Sequence, residues 1–141
     1  MTTIIDSENY LYSNTLVLSS IKLDKSMNTE MIGIFLNNRF PLLRTLNCTN
    51  TPITTIPLLP NLEELICSKC DRLVEIPELC NLKILDCYQC TELIEIPKLP
   101  HLTYLDCTGC NKLTRIPELH NLKELRCTKC EGITTLPILP T

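Results

Sequence analysis

Residues 61–80 read NLEELICSKCDRLVEIPELC, and the next twenty, 81–100, read NLKILDCYQCTELIEIPKLP. The match continues through HLTYLDCTGCNKLTRIPELH at 101–120 and NLKELRCTKCEGITTLPILP at 121–140, and a shorter copy, FPLLRTLNCTNTPITTIPLLP, precedes them at 40–60. The shared pattern is L-x-x-L-x-C-x-x-C-x-x-L-x-x-I-P-x-L. Four copies in register are a far more specific signal than any single motif, because a fixed period of this length means stacked structural units. Residues 1–40 hold no Cys and no Pro, whereas all ten of each lie beyond them. That shift divides the chain into an N-terminal cap, 1–40, and a repeat region, 41–141, with units 41–60, 61–80, 81–100, 101–120 and 121–140.

Alternation makes each unit begin with a strand. Leu65 and Cys67 point one way, Ile66 and Ser68 the other. A single short strand cannot bury its apolar face, so each unit must stack on the next, and every column becomes a ladder through a parallel sheet. The ladders Leu62, Leu82, Leu102, Leu122 and Leu65, Leu85, Leu105, Leu125 fill the core. Leu73, Leu93, Leu113, Ile133 and Ile76, Ile96, Ile116, Leu136 close it from the opposite side. Pro77, Pro97, Pro117 and Pro137 follow directly. Proline lacks an N–H and fixes φ, which predicts an extended or polyproline-like return with at most a 3₁₀ turn and no regular helix. In the cap, Thr29–Leu36 predicts a short helix started by Asn28 or Thr29. Leu18-x-x-Ile21-x-Leu23 reads as a degenerate first repeat, and 2–18 alternates loosely as strand.

The repeats resemble the leucine-rich repeat family, whose hallmark L-x-x-L-x-L-x-x-N/C-x-L maps onto Leu62, Leu65, Cys67 and Cys70 and onto the same columns in later units. The resemblance covers about 100 of the 141 residues. It implies an α/β solenoid: a right-handed superhelix with a parallel concave β-sheet, a mostly irregular convex side and little helix. The 20-residue period and the I-P-x-L-P tail are most similar to short repeats of bacterial secreted effectors, and cysteine-rich variants occur in large DNA viruses and protists. Two departures stand out. Cysteine replaces leucine in the sixth column, and an extra residue separates Cys70 from Leu73. The first copy keeps the shorter spacing, with Thr51 where family members place Asn.

Cys67-x-x-Cys70 followed by Cys87-x-x-Cys90 has the spacing of a zinc ribbon. A structural metal-binding CxxC repeat is therefore the alternative reading. The repeat context favours another: nine thiols form two ladders of small buried hydrophobes, in the columns of Cys67 and Cys70. Gly109 is the lone glycine within any pair, which is unlike the glycine-rich surroundings of zinc knuckles. No metal and no cofactor is expected. Cys80 stands outside both ladders, in the column of Pro60, Pro100, His120 and Pro140. It is a candidate for an intermolecular disulfide, beside the plainer reading of a partly buried thiol.

Outward strand positions line the concave face. Core demands do not account for Ile66, Ile84, Tyr88 and Tyr104 there, and Asp86, Asp106 and Arg126 stand among them. With its flanking columns this face carries six positive and five negative charges, against four and seven elsewhere in the repeats. A mixed, aromatic-centred strip fits a protein or peptide partner better than nucleic acid. The partner-binding candidates are Ile66, Ile84, Asp86, Tyr88, Tyr104, Asp106 and Arg126.

Other functions are disfavoured by composition. The net charge is -3 with a pI near 5.4, which argues against nucleic acid. No apolar run approaches the roughly 18 residues of a membrane span, and MTTIIDSENY lacks the basic and apolar regions of a signal peptide. With ten thiols this points to a reducing, cytoplasmic compartment, or a host cytosol for a viral or effector protein. Asp86 and Asp106 lie one strand apart on an open sheet, His101 and His120 fall in loops, and three glycines leave little material for a phosphate loop. The chain is expected not to be an enzyme. The edge strand near Leu125–Cys127 and the Leu136 layer lack a terminal cover, which implies a fragment or an open end that meets a partner, a second copy being the candidate for a homodimer.

Overall fold

The computed structural model describes residues 15–17 and 29–137. One helix and six short strands follow one another: β1 (Thr15–Val17), α1 (Thr29–Arg39), β2 (Thr45–Asn47), β3 (Glu64–Ile66), β4 (Ile84–Asp86), β5 (Tyr104–Asp106) and β6 (Glu124–Arg126). The strands form a single sheet in chain order, and every pair is parallel. The central residue of each strand pairs with the next, so Leu16, Leu46, Leu65, Leu85, Leu105 and Leu125 make one continuous row. The architecture is a parallel-sheet solenoid with little helix, as the period implies.

The strands are three residues long because the ladder soon bends into a turn. Backbone bonding nevertheless continues past them: Cys67 N–H donates to Asp86 C=O at 2.8 Å, and Lys69 N–H to Tyr88 C=O at 2.7 Å. Between the two cysteines the chain turns through a left-handed residue, at Lys69, Gln89, Gly109 and Lys129, with Asn50 in the same place one unit earlier. Only Gly109 and Asn50 suit that conformation by residue type. Lys69 and Gln89 adopt it with their N–H groups tied to the next unit, at Tyr88 and Thr108 C=O, and Lys129 in a turn tied to the preceding unit, where Gly109 N–H donates to Thr128 C=O.

The core is one leucine, isoleucine and cysteine column set. Leu62, Leu65, Leu73, Leu82, Leu85, Leu93, Leu102, Leu105 and Leu113 are fully buried, and Leu79, Leu99 and Leu119 add a further row. Across the core the return strands are irregular. They touch through isolated parallel bridges, Thr55 with Glu75 and Glu95 with Arg115, and through single backbone bonds such as Val74 N–H to Thr54 C=O at 2.8 Å. Pro77, Pro97 and Pro117 follow the buried Ile76, Ile96 and Ile116, which matches the helix-free return the prolines predict.

Helix α1 runs three residues beyond the expected Thr29–Leu36. Phe40 N–H still bonds to Leu36 C=O at 2.8 Å, and the Pro41 ring ends the helical pattern there. Asn28 lies outside the described residues. The N-terminal strand also differs in register: Leu16, in 15–17, continues the Leu46 row, and the Leu18, Ile21, Leu23 repeat lies outside the described residues, as do 2–14. Ile32 and Leu36 bury the inner face of α1, and Asn37 Nδ2 donates to Leu58 C=O at 3.1 Å.

Gly33 sets how closely the helix approaches the first return strand. A Cβ there would lie 2.9 Å from Pro57 Cβ, inside any normal contact. Gly33→Ala improves intrinsic helix propensity by about 1 kcal/mol, yet overpacking against a rigid proline ring costs about 1–3 kcal/mol. The variant is expected to unfold at lower urea than the parent, and a raised midpoint would show that α1 does not sit on Pro57.

Candidate interaction surface

The cysteine ladders determine how the outer face is held. Cys48, Cys67, Cys70, Cys87, Cys90, Cys107 and Cys110 are completely buried. The second thiol of each pair reaches back one unit: Cys70 Sγ donates to Cys48 C=O at 3.0 Å, Cys90 to Cys67 C=O at 3.0 Å, Cys110 to Cys87 C=O at 3.1 Å and Cys130 to Cys107 C=O at 3.0 Å. The same carbonyls accept within their own turns, as Cys70 N–H does to Cys67 C=O at 3.2 Å. In the first unit Thr51, buried where later units carry cysteine, donates its hydroxyl to Cys48 C=O at 2.6 Å. Among the described residues no three His, Cys, Asp or Glu come together as a metal-holding group. The hydrogen bond to its partner thiol, then burial, raises the pKa of Cys67 and Cys87 well above the ordinary thiol value, and burial raises Cys107.

Cys80 is exposed, so the partly buried reading is corrected: its column lies in the loop that leads to the next strand. Thiolate character and access together set alkylation rate. Brief treatment of the reduced, folded protein with iodoacetamide should label Cys80 first and the half-buried Cys127 and Cys130 next. The ladder thiols Cys67, Cys87 and Cys107 should react only after denaturation. Peptide mapping by mass spectrometry reads this directly, and equal labelling of Cys80 and Cys87 in the folded state would contradict the ladder.

Above this frame the sequence-predicted residues fall on the outer face of the sheet. Ile66, Ile84, Asp86, Tyr104 and Asp106 are half-buried, as is Tyr88 just beyond β4, whereas Arg126 is exposed at the last strand. Sheet register sets Ile84 beside Tyr104, and Ile66 beside Asp86, Asp106 and Arg126 in one row. Adjacent strands lie about 4.8 Å apart, so these neighbours touch or share one small surface. Ile66 is diagonal to Ile84, and Tyr88 stands two residues beyond Asp86 on the same side.

Asp86 and Asp106 have a structural duty that spacing did not reveal. Asp86 Oδ1 accepts from Tyr88 N–H at 3.0 Å and from Ser68 Oγ at 2.6 Å, and Asp106 Oδ1 accepts from Thr108 N–H at 2.9 Å. Asn47 does the same for Thr49 at 3.0 Å. This column therefore caps the turn after each strand, as short Asx side chains do. The sign of the side chain is secondary there, which is how Asn serves in the first unit. Arg126 stacks its guanidinium 5.7 Å from the centre of the Tyr104 ring and pairs with Glu124 at 2.8 Å. Partial desolvation raises the Tyr104 phenol above its usual range. Arg126 opposes that rise, and the carboxylates of Asp106, Asp86 and Glu124 add to it.

A second feature was visible in sequence only as a flanking charge column. Arg44 and Lys83 converge on the Glu63 carboxylate, Lys83 Nζ at 2.6 Å, along the rim where the strands begin. The hydrogen bond from Lys83 holds Glu63 below the ordinary carboxylate range; desolvation opposes it, and the charge of Arg44 adds to the lowering. With Leu42, Asn61, Asn81 and His101 these residues line an open groove of about 430 Å³. Asn61, Asn81 and Asn121 each donate an amide to a loop carbonyl one unit back, at Pro41, Pro60 and Pro100. His101 occupies that column without an amide to offer. The alternating charges at positions 44, 63 and 83 are the sequence signal for this rim, once the strands are in register.

No helix among the described residues is long and apolar enough to cross a membrane. Comparison with protein-family models, with curated proteins and with solved structures finds no match for the chain.

Proposed function

We propose that this chain is a non-enzymatic protein-interaction module of the leucine-rich repeat type, which takes a protein or peptide on the outer face of its sheet. One observation carries the reading: Ile66, Ile84, Tyr88 and Tyr104 form an apolar, partly exposed group on a face whose neighbouring columns are polar. Exposed apolar groups set in a polar rim are the usual form of a protein contact. Tyrosine supplies broad apolar area with a polar tip and loses little rotamer freedom on binding. The sheet beneath is held by ladders on both sides of each turn, so the face is preorganised and a partner need not order it.

The mixed charge of the face fits a polypeptide partner better than a phosphate backbone. The zinc alternative is weaker because four thiols already spend their S–H groups on backbone carbonyls. Thiols buried as hydrogen-bond donors to backbone carbonyls fit a reducing compartment such as a cytoplasm.

Crosslinking followed by affinity capture identifies the partner, and substitution then tests the surface. Tyr88→Ala and Tyr104→Ala should each weaken that complex about tenfold or more, the effect of losing about 1.4 kcal/mol at a hot-spot position. Their thermal midpoints should stay close to the parent, since neither ring belongs to the buried columns. Binding that survives both substitutions rejects this face.

A further inference from the structure

Among the described residues β6 is the last strand of the sheet, with one edge unpaired. Glu124 N–H bonds to Thr103 C=O at 3.1 Å, and Arg126 C=O accepts from Cys107 N–H at 2.8 Å. Both neighbours of Leu125 thus direct their backbone groups towards β5. Strand alternation turns the N–H and C=O of Leu125 the other way, where no described strand lies. The layer below is open as well. Leu105, Cys107, Cys110 and Leu113 are fully buried, but their counterparts Leu125, Cys127, Cys130 and Ile133 are only half-buried, and Leu136 is 59% exposed.

The edge carries its own complement. Glu124 and Arg126 flank Leu125 on the outer face, both exposed and of opposite sign, and in the single chain they pair with each other at 2.8 Å. We propose that β6 pairs antiparallel with β6 of a second copy of this chain, with the two-fold axis between the two Leu125 residues. Leu125 and its mate then exchange both N–H to C=O bonds. Glu124 of each copy stands opposite Arg126 of the other, in the closely spaced pair type where Cα atoms lie about 4.5 Å apart. Opposite charges directly across a strand pair are stabilising, and here the symmetry supplies the contact twice. The half-buried Leu125, Cys127 and Ile133 side chains of the two copies meet beneath the strands.

A second copy stacked head-to-tail is the competing arrangement. It would set β6 against β1, whose residues Thr15, Leu16 and Val17 offer no charge to Glu124 or Arg126. Such a contact also repeats without closing, whereas the two-fold contact closes at two copies.

Sedimentation equilibrium of the reduced protein over a concentration series tests the proposal. The expected mass rises from the 16.1 kDa of one chain to twice that value and stops. Glu124→Arg makes both cross-strand pairs Arg–Arg, and Arg126→Glu makes both Glu–Glu. Each variant should remain monomeric where the parent is dimeric, with an unchanged circular dichroism spectrum. An equal mixture of the two variants should dimerise, because every cross-strand pair is then of opposite sign. A parent that stays monomeric, a mass that climbs past the dimer, single variants that dimerise like the parent, or a mixture that stays monomeric each overturns the proposal.

Discussion

The hydrogen bond from one cysteine thiol to the carbonyl of a cysteine one unit earlier is the contact on which the stack depends. The chain must reverse direction within two residues of each strand, and that reversal leaves a carbonyl facing the core. A buried carbonyl without partners is costly, and each unit supplies only one N–H to its own. The second partner comes from the following unit, as Cys90 does for Cys67 at 3.0 Å. Each turn is therefore completed by its neighbour. This is the physical form of nearest-neighbour stabilisation in a solenoid: a unit is not fully satisfied until the next one is in place. Cysteine suits the position because it is small, mostly apolar and still able to donate. Serine would donate more strongly but bury a hydroxyl with a greater desolvation cost.

The period made much of this architecture legible before any coordinates. Leucine and cysteine columns recur every 20 residues, and a parallel stack is the arrangement that lets all of them share one core. Positions of β3 to β6, the burial of the two thiol columns and the irregular return after Pro77, Pro97 and Pro117 all follow from that repeat. What the period could not convey is direction within a column. It placed Cys70 and Cys90 inside but did not say that their S–H groups point at carbonyls. Asp86 and Asp106 sat on the outer face, with no hint that the residue two places on would donate its N–H to them. The left-handed turn was not read from the sequence: Asn50 and Gly109 suit it, but Lys69 and Gln89 do not, since tertiary contacts impose that conformation on residues that do not favour it. Residues before 41 lack the period, so the strand through Leu16 and the length of α1 had only local propensity to mark them.

Separating structural from available side chains narrows the outer face. The row of Ile66, Asp86, Asp106 and Arg126 looks homogeneous by position but is not so by role. Asp86 and Asp106 each commit a carboxylate oxygen to the turn, which restricts their rotamers. Arg126 is held by Glu124 and by the Tyr104 ring. Ile84, Tyr88 and Tyr104 carry no comparable obligation to the backbone. Their identities can change without disturbing a turn or a ladder, which is the condition for a surface to be shaped by what it binds.

The charged columns follow the same division of labour. The pairs Lys112 with Glu92 and Arg115 with Glu95 are exposed, and such pairs contribute about 0–1 kcal/mol each. Even the Arg44, Glu63 and Lys83 network sits at a wet rim, where screening weakens it. Burial of the leucine columns, at about 25 cal/mol per Å² of apolar area removed from water, far outweighs these terms. The charges therefore do little to hold the solenoid together. On the proposed reading their consequence lies outside the single chain, where opposite signs set partner choice and approach, and like signs across an edge forbid a contact. A stack stabilised by apolar ladders and thiol-to-carbonyl bonds leaves its polar positions free for recognition, both across the sheet face and along the edge of β6.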